Sequence, residues 1–350
     1  MKRKIGLIII ATILACLTGN MNVNAEEANN DGCYIATTAC PDGYWEYVEA
    51  NAARYVRSME DAGNYSVITV GQPFAFTQSN ALVYHFPIIC DGDITYVLRV
   101  FPDGDSYSGV ISEMFASELT DLSEYTSVSE PMYISNKNDD IVATIGDRDY
   151  MIFENVGQAS VVSVATIASV ENLQVVDITE STELTINAAQ TRDIMEYINL
   201  GITETQGNNQ WCTAYCLAAC IRCQTNHTVY ASDCMEDALG TYTTSDEFPW
   251  SKVRTVALQY GLAPTVLSTT TSNAILIREM TEGSPVLQGM NSSDYDHTVV
   301  LRGYSSGANT WSIWNPYYSY YENYTIGGVY MDALGTAFTT VVHAYNFDAN

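Results

Sequence analysis

Basic residues are scarce in this sequence, and their scarcity excludes several classes of function. The 350-residue chain has 14 Lys and Arg against 41 Asp and Glu, which gives a formal net charge of −27 at pH 7. Nucleic acids and anionic membrane surfaces are bound through clusters of Lys and Arg. We therefore expect neither nucleic acid nor a membrane among the partners of this protein. We also expect it to be a monomer.

Long apolar runs are lacking as well. No stretch after the N-terminal region approaches the roughly 18 apolar residues of a membrane-spanning helix. One shorter run, Ile5–Leu17, follows the basic residues of Met1–Lys4 and precedes a small-residue site that ends at Ala25. This order is typical of a secretory signal peptide. We therefore predict that residues 1–25 are a signal peptide and that the protein is secreted. Lipid anchoring at Cys16 is the rival interpretation, which the preceding residues fit poorly.

Cysteine is too sparse for a small fold held together by disulfides. The chain has 9 cysteines in 350 residues, far below the density of disulfide-rich secreted domains. Cys33 and Cys40 are close enough in sequence to close a small loop, although spacing alone leaves the connectivity open. Most of the cysteines must therefore be explained in some other way.

The length and the uneven charge predict two domains after the signal peptide. Residues 26–200 carry 6 basic and 28 acidic residues, a net charge of −22, whereas residues 201–350 carry 5 and 13, a net charge of −8. The remaining length suits about two domains. We predict an acidic N-terminal segment at residues 26–190 and a second segment, the C-terminal segment, at residues 191–350.

The N-terminal segment reads as one helix and an antiparallel sheet. After a polar leader at residues 26–43, apolar residues recur at helical spacing over Tyr44–Ala62. Short β-rich runs with Asp-Gly turns follow, interrupted by a predicted short helix near Ile111–Leu122. Such a pattern closes naturally with the helix packed on a curled sheet. A connector then leads into a predicted helix at Ala188–Leu200.

The C-terminal segment reads as helices followed by strands, an α+β order. Helices are predicted from Cys212 to Cys220 and at Asp233–Leu239, Trp250–Tyr260 and Asn273–Thr281. Strands are predicted at Pro285–Met290, Thr298–Tyr304, Thr310–Trp314 and Phe338–Tyr345.

Cys212 is the candidate nucleophile. It follows the loop Gln206–Trp211 and begins a predicted helix. Unpaired backbone N–H groups and the helix dipole favour the thiolate at that position. The side-chain amide of Gln206 lies six residues upstream and is a candidate donor to an oxyanion.

A base and an orienting residue follow downstream. His297 opens a predicted strand, and Asn315 ends the next strand, just before Pro316. Two adjacent antiparallel strands bring both residues to one end of a sheet, where the Asn315 oxygen can accept from one imidazole nitrogen. Cys212, His297 and Asn315 then form the arrangement of nucleophile, base and orienting residue. Trp311 and Trp314 could shield the hydrogen bond from water.

The other histidines fit structural positions better. His85 lies in a β-rich run, His227 in a polar turn and His343 near the end of a strand. A zinc site is the rival interpretation of four cysteines that lie at helical spacing, namely Cys212, Cys216, Cys220 and Cys223. A helix rises about 1.5 Å per residue, so one helix cannot gather four thiolates around a metal whose Zn–S bonds are about 2.3 Å. We therefore predict no metal and no cofactor, and buried core thiols at Cys216 and Cys220.

These residues resemble the staphopains, which are secreted papain-like cysteine peptidases. The motifs that carry the resemblance are Glu204–Cys212, His297 before an apolar strand and Gly303, and Ile313–Pro316. Gly71–Phe74, the strand His85–Ile89 and the turn Asp103-Gly104 extend it more loosely to staphopain propeptides.

The resemblance implies a papain-like catalytic domain preceded by a cystatin-like half-barrel prosegment. It implies Cys212 as nucleophile, His297 as base, Asn315 as orienting residue, and Gln206 with the Cys212 backbone N–H as oxyanion hole. The partners would be protein or peptide substrates, with the N-terminal segment as an intramolecular inhibitor. Activation would need a cut within about residues 180–200, near Arg192.

Two other classes of function use the same residues. A cysteine amidase or transferase that acts on cell-wall peptide or a peptide leader would have the same triad. A non-catalytic surface binding module would keep the fold without the chemistry. The secreted endopeptidase made as an inactive precursor is the favoured prediction, because the reactive set is complete.

Overall fold

The computed structural model describes residues 32–78, 81–137, 140–154, 173–183, 194–292 and 295–347. The predicted signal peptide and the predicted cleavage site near Arg192 lie outside these ranges. Among the described residues, no helix has the length and the apolar character needed to cross a membrane.

The helices of the described residues are short and mostly lie in the C-terminal segment. They are α1 Asp42–Arg57, α2 Ala116–Ser123, α3 Cys212–Gln224, α4 Ala231–Leu239, α5 Val253–Gln259 and α6 Asn273–Thr281, with 3₁₀ turns at Ala62–Asn64 and Trp250–Lys252.

Strands make up most of the remaining structure, in both segments of the chain. The first eleven are β1 Tyr34–Thr37, β2 Ile68–Gly71, β3 Phe74–Gln78, β4 Ala81–Cys90, β5 Asp93–Asp103, β6 Ser106–Ser112, β7 Met132–Lys137, β8 Asp140–Ile145, β9 Arg148–Phe153, β10 Gln174–Asp177 and β11 Ser181–Glu183. The others are β12 Met195–Tyr197, β13 Thr265–Val266, β14 Val286–Asn291, β15 Asp296–Ser305, β16 Thr310–Trp314, β17 Tyr321–Thr325, β18 Tyr330–Met331, β19 Ala337–Phe338 and β20 Thr340–Asn346.

Helix α1 forms because its apolar residues repeat along one face. Tyr44, Val48, Ala52 and Tyr55 are spaced by four, four and three residues and are buried. Their apolar partners lie on strands β4, β5 and β6, and include Phe86, Leu98, Val100 and Ile111. The predicted packing of one helix on an antiparallel sheet is therefore present in the N-terminal segment.

One large antiparallel sheet runs through both segments. Its strand order is β11-β2-β4-β5-β6-β17-β16-β15-β14-β20-β13, with β3 also paired to β4 and β12 to β15. The two segments join where β6 pairs with β17, with Ile111 opposite Asn323 and Ser112 opposite Glu322. The N-terminal and C-terminal segments thus share one hydrogen-bonded sheet.

A second sheet closes the N-terminal segment, in the order β10-β1-β7-β8-β9. Strands β1 and β7 are parallel, whereas the other pairs are antiparallel. The Cys33 thiol lies in the core beside this sheet and donates to the carbonyl of Leu119, with an S···O distance of 3.7 Å. Cys33 and Cys40 are both free, so the loop that their spacing suggested is not closed.

Helix α3 is buried along nearly its whole length. Every residue from Thr213 to Ile221 is buried, and helices α4 and α5 share one core with Leu287 and Val300 of the sheet. Alanine and cysteine side chains are small, so neighbouring elements can approach this helix closely. Cys216 and Cys220 are fully buried, which confirms the prediction that they are core thiols.

Local patterns predicted several elements closely. Helix α6 and strand β16 have the predicted bounds, and the four predicted strands of the C-terminal segment are all present. In contrast, the predicted leader at residues 26–43 contains strand β1 and the start of α1. The predicted helix near Ile111–Leu122 begins only at Ala116, because Ile111 belongs to strand β6.

The predicted helix at Ala188–Leu200 is wrong in its described part. Met195–Tyr197 is strand β12, which pairs with β15 so that Tyr197 lies opposite Gly303. A side chain on Gly303 would meet the backbone of Glu196 at 2.2 Å, so the glycine allows this close approach. The partner strand lies about a hundred residues downstream, and a local pattern carries no signal for such a pairing.

A buried ion pair crosses the junction between the two segments. Arg99 on β5 is 1% exposed, and its Nη2 donates to Glu322 on β17, which is fully buried. Arg99 Nε and Nη1 have no hydrogen-bond partner among the described residues. A buried charge is costly unless it is paired, so Glu322 depends on Arg99 for its compensation.

We predict that Arg99→Met destabilises the full chain strongly. Removing one partner of a buried ion pair leaves the other charge uncompensated, which costs about 3–5 kcal/mol. Denaturant titration of the full chain should show this loss of unfolding free energy. Arg148→Met is the matched control, since Arg148 is an exposed arginine of the same segment, and it should change stability by less than about 0.5 kcal/mol. Equal losses in both variants would contradict the role assigned to Arg99.

Candidate active site

Backbone contacts hold the loop that leads into helix α3. The N–H of Gln206 donates to the carbonyl of Pro316 at 2.6 Å, and the N–H of Gln210 donates to the carbonyl of Thr244 at 2.9 Å. The indole Nε1 of Trp211 donates to the carbonyl of Thr243 at 3.1 Å. The start of α3 is therefore fixed from both sides, and the loop is tied to the turn that follows Asn315.

Cys212 is the first residue of α3, as predicted, and its thiol lies beside Thr298. The distance from Cys212 Sγ to Thr298 Oγ1 is 3.7 Å, and Thr298 Oγ1 lies 2.7 Å from Thr213 Oγ1. Burial raises the pKa of the Cys212 thiol, while hydrogen bonds with Thr298 and Thr213 act in the opposite direction. Burial outweighs these hydrogen bonds, so the pKa of the thiol lies above its usual value, whereas the helix N-terminus favours the thiolate.

His297 and Asn315 lie together at one end of the large sheet. His297 Nε2 is 2.9 Å from Asn315 Oδ1, and both side chains are buried. The N–H of Tyr317 donates to the same oxygen at 3.1 Å. Strands β15 and β16 are antiparallel neighbours, which is the arrangement that the sequence predicted for this pair.

Aromatic rings surround the imidazole of His297. The Tyr317 ring is stacked on it with a centroid distance of 4.8 Å and an interplanar angle of 4°, and Tyr295 approaches edge-on at 6.0 Å. Burial lowers the pKa of His297, whereas the hydrogen bond with Asn315 and the nearby carboxylates of Asp332 and Glu322 oppose that shift. Protonation of this imidazole therefore depends on buried groups and not on solvent.

Tyr317 was not singled out by sequence reasoning as the residue that covers His297. Trp311 packs in a different cluster against Tyr304, and Trp314 donates its indole N–H to the carbonyl of Tyr318 at 2.8 Å. A signal was present in the Asn315-Pro316 dipeptide, because asparagine followed by proline starts a type I turn. The N–H of Tyr318 donates to the carbonyl of Asn315 at 3.0 Å and closes that turn. The turn places the Tyr317 ring beside His297.

Cys212 and His297 are not hydrogen-bonded to each other in this structure. The hydrogen-bond partner of the thiol is Thr298, the residue next to His297 on β15. Two of the three predicted site residues, His297 and Asn315, are thus brought together directly. The third, Cys212, is on helix α3 and contacts Thr298, the residue that follows His297 on β15.

Gln206 lies in the site and is buried. Its Nε2 donates to the carbonyl of Asn209 at 2.7 Å, and its Oε1 has no hydrogen-bond partner among the described residues. A side-chain amide carries two hydrogens on nitrogen, so one donor of Gln206 remains for a further acceptor.

The remaining histidines hold structural positions, as predicted. His85 is fully buried and lies 4.6 Å from the ring of Phe76, on which it is stacked. His343 is stacked on Trp250 at 4.7 Å, and His227 is exposed. Within the described ranges, no group of three or more His, Cys, Asp or Glu is arranged to hold a metal ion.

Comparison with known proteins identifies the class of enzyme. The model of the Peptidase_C39 like family matches residues 197–336. Staphopain A of Staphylococcus aureus (strain Mu50 / ATCC 700699) is 20% identical over 338 residues, which cover 87% of this chain and 87% of that protein. Staphopain B of Staphylococcus aureus (strain MSSA476) is 21% identical over 294 residues, which cover 73% of this chain and 72% of that protein.

The family match covers the part of the chain that holds Cys212, His297 and Asn315. The similarity to the staphopains extends well beyond it, into the N-terminal segment. The chain is a staphopain-like cysteine peptidase.

Proposed function

We propose that this protein is a secreted cysteine endopeptidase made as an inactive precursor. Cys212 is its nucleophile, His297 its base, Asn315 the residue that orients the base, and Gln206 a donor to the oxyanion. The observation that carries the proposal is the buried hydrogen bond between His297 and Asn315, at the end of the sheet that faces the N-terminus of α3. The papain-type triad needs such a pair beside a cysteine at a helix start.

The reaction follows from these positions. Transfer of the Cys212 proton to His297 gives a thiolate and an imidazolium. The thiolate attacks the carbonyl carbon of a peptide bond, and the oxyanion accepts hydrogen bonds from Gln206 and the Cys212 N–H. His297 then donates its proton to the leaving amine, and an acyl thioester remains on Cys212. Water, deprotonated by His297, hydrolyses the thioester.

Buried carboxylates support the charged form of His297 in this mechanism. Glu322 and Asp332 are both fully buried, and each favours a protonated imidazole. Asp332 is held by the N–H groups of Leu334 at 3.0 Å and Thr336 at 2.8 Å. Fixed negative charge near the base lowers the cost of the imidazolium, because it requires no reorganisation during the reaction.

We predict that Cys212→Ala abolishes peptide hydrolysis. Loss of the nucleophile removes the covalent pathway, so the rate should fall by about 10⁴-fold or more. The measurement is cleavage of a fluorogenic peptide by the processed enzyme. Cys223→Ala is the control, since Cys223 is a partly buried thiol at the far end of the same helix, and it should retain activity. Hydrolysis by Cys212→Ala at the wild-type rate would overturn the assignment.

The N-terminal segment is proposed as the intramolecular inhibitor, a cystatin-like half-barrel prosegment. Its contacts with the C-terminal segment lie on strands β15 and β17 and in the turn around Ala333. The Tyr55 hydroxyl lies 2.6 Å from Thr325 Oγ1, and Arg302 forms an ion pair with Glu60 at 2.7 Å. The side chain of Gln78 donates to the carbonyl of Ala333.

These contacts support inhibition through the relative position of the nucleophile and the base. Cys212 is positioned by its own loop and by helix packing, whereas the strands that carry His297 and Asn315 are held by the N-terminal segment. The Asn323 side chain, for example, donates to the carbonyl of Ser58 at 2.5 Å. In this arrangement the Cys212 thiol is hydrogen-bonded to Thr298. Release of the N-terminal segment would allow His297 to move into contact with the Cys212 thiol.

We predict that cleavage between the segments raises activity. The full chain should be nearly inactive, and a protease that cuts after arginine should increase hydrolysis by about 10-fold or more, which corresponds to roughly 1.4 kcal/mol of inhibitory contact. Intact-mass analysis identifies the cut. Arg192→Gln should delay both the cut and the activation, while Arg148→Gln should not. Equal activity before and after cleavage would mean that the segment is a permanent accessory domain.

We predict a different pH dependence of Cys212 alkylation in the two forms. Burial raises the pKa of this thiol in the full chain, and the thiolate is the reacting form. Iodoacetamide should therefore label Cys212 slowly at neutral pH and faster as the pH rises above the usual cysteine range. After cleavage, pairing with His297 should make labelling fast even at mildly acidic pH. Peptide mapping measures both rates, and indistinguishable profiles would contradict this prediction.

A further inference from the structure

A chain of buried hydrogen bonds extends from the His297–Asn315 pair to the N-terminal segment. Asn315 Nδ2 donates to the hydroxyl of Tyr330 at 2.9 Å, and that hydroxyl donates to Glu322 Oε2 at 2.5 Å. Glu322 Oε1 accepts from Arg99 Nη2. All five side chains are at most 2% exposed, so protein groups and not bulk water decide how each hydrogen is placed.

The charged pair at one end of this hydrogen-bond chain, Glu322 and Arg99, determines its polarity. A guanidinium can only donate, and an ionised carboxylate can only accept. Tyr330 must therefore donate its single hydrogen to Glu322, which leaves its oxygen to accept from Asn315. The amino group of Asn315 consequently faces Tyr330, and its carbonyl oxygen faces His297.

The orientation of Asn315 in turn determines which nitrogen of His297 carries a proton. A carbonyl oxygen can only accept, so Nε2 of His297 must be protonated to form the 2.9 Å bond. In a neutral imidazole this leaves Nδ1 without a proton, and Nδ1 is then the nitrogen that can take the proton of a thiol. The N–H of Tyr317 donates to the same Asn315 oxygen at 3.1 Å and favours the same polarity.

We propose that Glu322 and Tyr330 are positioning residues that set the tautomer of His297 through Asn315, and that Arg99 of the N-terminal segment holds Glu322 in its acceptor state in the full chain. The proposal rests on the proposed function, in which His297 is the base for Cys212. It assigns a chemical role to two residues outside the triad.

The electrostatics of Glu322 explain why Arg99 is needed in the full chain. Burial raises the pKa of Glu322, while the Arg99 guanidinium and the Tyr330 hydroxyl oppose the shift. A protonated Glu322 could donate to Tyr330 and reverse the polarity of the chain. Once the N-terminal segment leaves, β17 loses its neighbour β6, and water can then take the place of Arg99 beside the carboxylate.

Glu322→Gln tests the polarity of the hydrogen-bond chain, because glutamine has nearly the same shape as glutamate. Arg99 can only donate, so it should retain the carbonyl oxygen of the new amide and turn the amide NH₂ toward Tyr330. Tyr330 would then accept from that NH₂ and donate to Asn315. The Asn315 amide would be driven to present its NH₂ to His297, against the N–H of Tyr317. Tyr330→Phe removes the hydroxyl and leaves the orientation of Asn315 to Tyr317 alone.

The direct measurement is the tautomer of His297 in the full chain, read from ¹⁵N shifts of labelled imidazoles. The chain has only four histidines, and His297→Gln assigns the resonances. We expect the Nε2–H form in the wild type and a measurable population of Nδ1–H in Glu322→Gln and Tyr330→Phe. Tyr324→Phe is the matched control. Tyr324 is buried on the same strand as Glu322, its ring lies 5.5 Å from that of Tyr330, and within the described residues its hydroxyl has no hydrogen-bond partner.

Kinetics of the processed enzyme provide the second measurement. Tyr330→Phe should lower kcat by about 10-fold with little change of KM, the result of losing roughly one oriented hydrogen bond in the transition state. Glu322→Gln should lower kcat less, because Arg99 no longer fixes the direction of the new amide after processing. Tyr324→Phe should leave both parameters unchanged. If Glu322→Gln fails to fold, Tyr330→Phe alone decides.

Two negative results can be told apart. If both variants lose thermal stability but keep the wild-type tautomer and kcat, the buried hydrogen-bond chain is only structural. That result overturns this inference and leaves the proposed triad unaffected. If Cys212→Ala retains hydrolysis, the proposed function fails. The tautomer measurement does not depend on activity, so it still reports whether Glu322 controls Asn315.

Discussion

The antiparallel pairing of β6 with β17 is the constraint on which the rest of this structure depends. It places Glu322 opposite Ser112, inside a sheet shared by both segments. A carboxylate in that position requires a cation, which Arg99 supplies from β5, the strand on the other side of β6. Because an uncompensated buried charge costs several kcal/mol, the pairing of the strands and the pairing of the charges stabilise each other.

The same junction divides the candidate active site into two parts that are held by different elements. Cys212 is positioned by the loop before α3 and by a helix buried in its own core. His297 and Asn315 are positioned by strands that the N-terminal segment contacts through β17 and the residues around Ala333. In the function we propose, control of activity lies in the relative position of these two parts. The raised pKa of the half-buried thiol and the lowered pKa of the buried imidazole both favour the uncharged, unreactive pair.

Periodicity and turn chemistry predicted the elements whose causes are local. Helix α6 and strand β16 were predicted with their observed bounds, since each carries its pattern in consecutive residues. Strand β12 was predicted as helix, because it is short and its partner β15 lies far away in sequence. Strand β17 was not predicted, although one of its two partners, β16, is its neighbour in sequence. The residues of the candidate site were found because a cysteine at a helix start and Asn315-Pro316 at a strand end are local signals. Tyr317 and Tyr330 were not assigned to it, because their contacts arise only after folding.

By itself, the sequence determined that a thiol begins a helix, that His297 opens a strand, and that Asn315 and Pro316 end the next strand. Composition also determined that the N-terminal segment is the more acidic part. Only the tertiary structure decided that His297 and Asn315 form a hydrogen bond of 2.9 Å and that the Cys212 thiol is hydrogen-bonded to Thr298. It also decided that Arg99 pairs with Glu322, which lies 223 residues away in sequence. The physical reason is that periodicity is a property of neighbouring residues. Burial, the direction of a pKa shift and the polarity of a hydrogen bond are set by whichever groups the fold brings into contact.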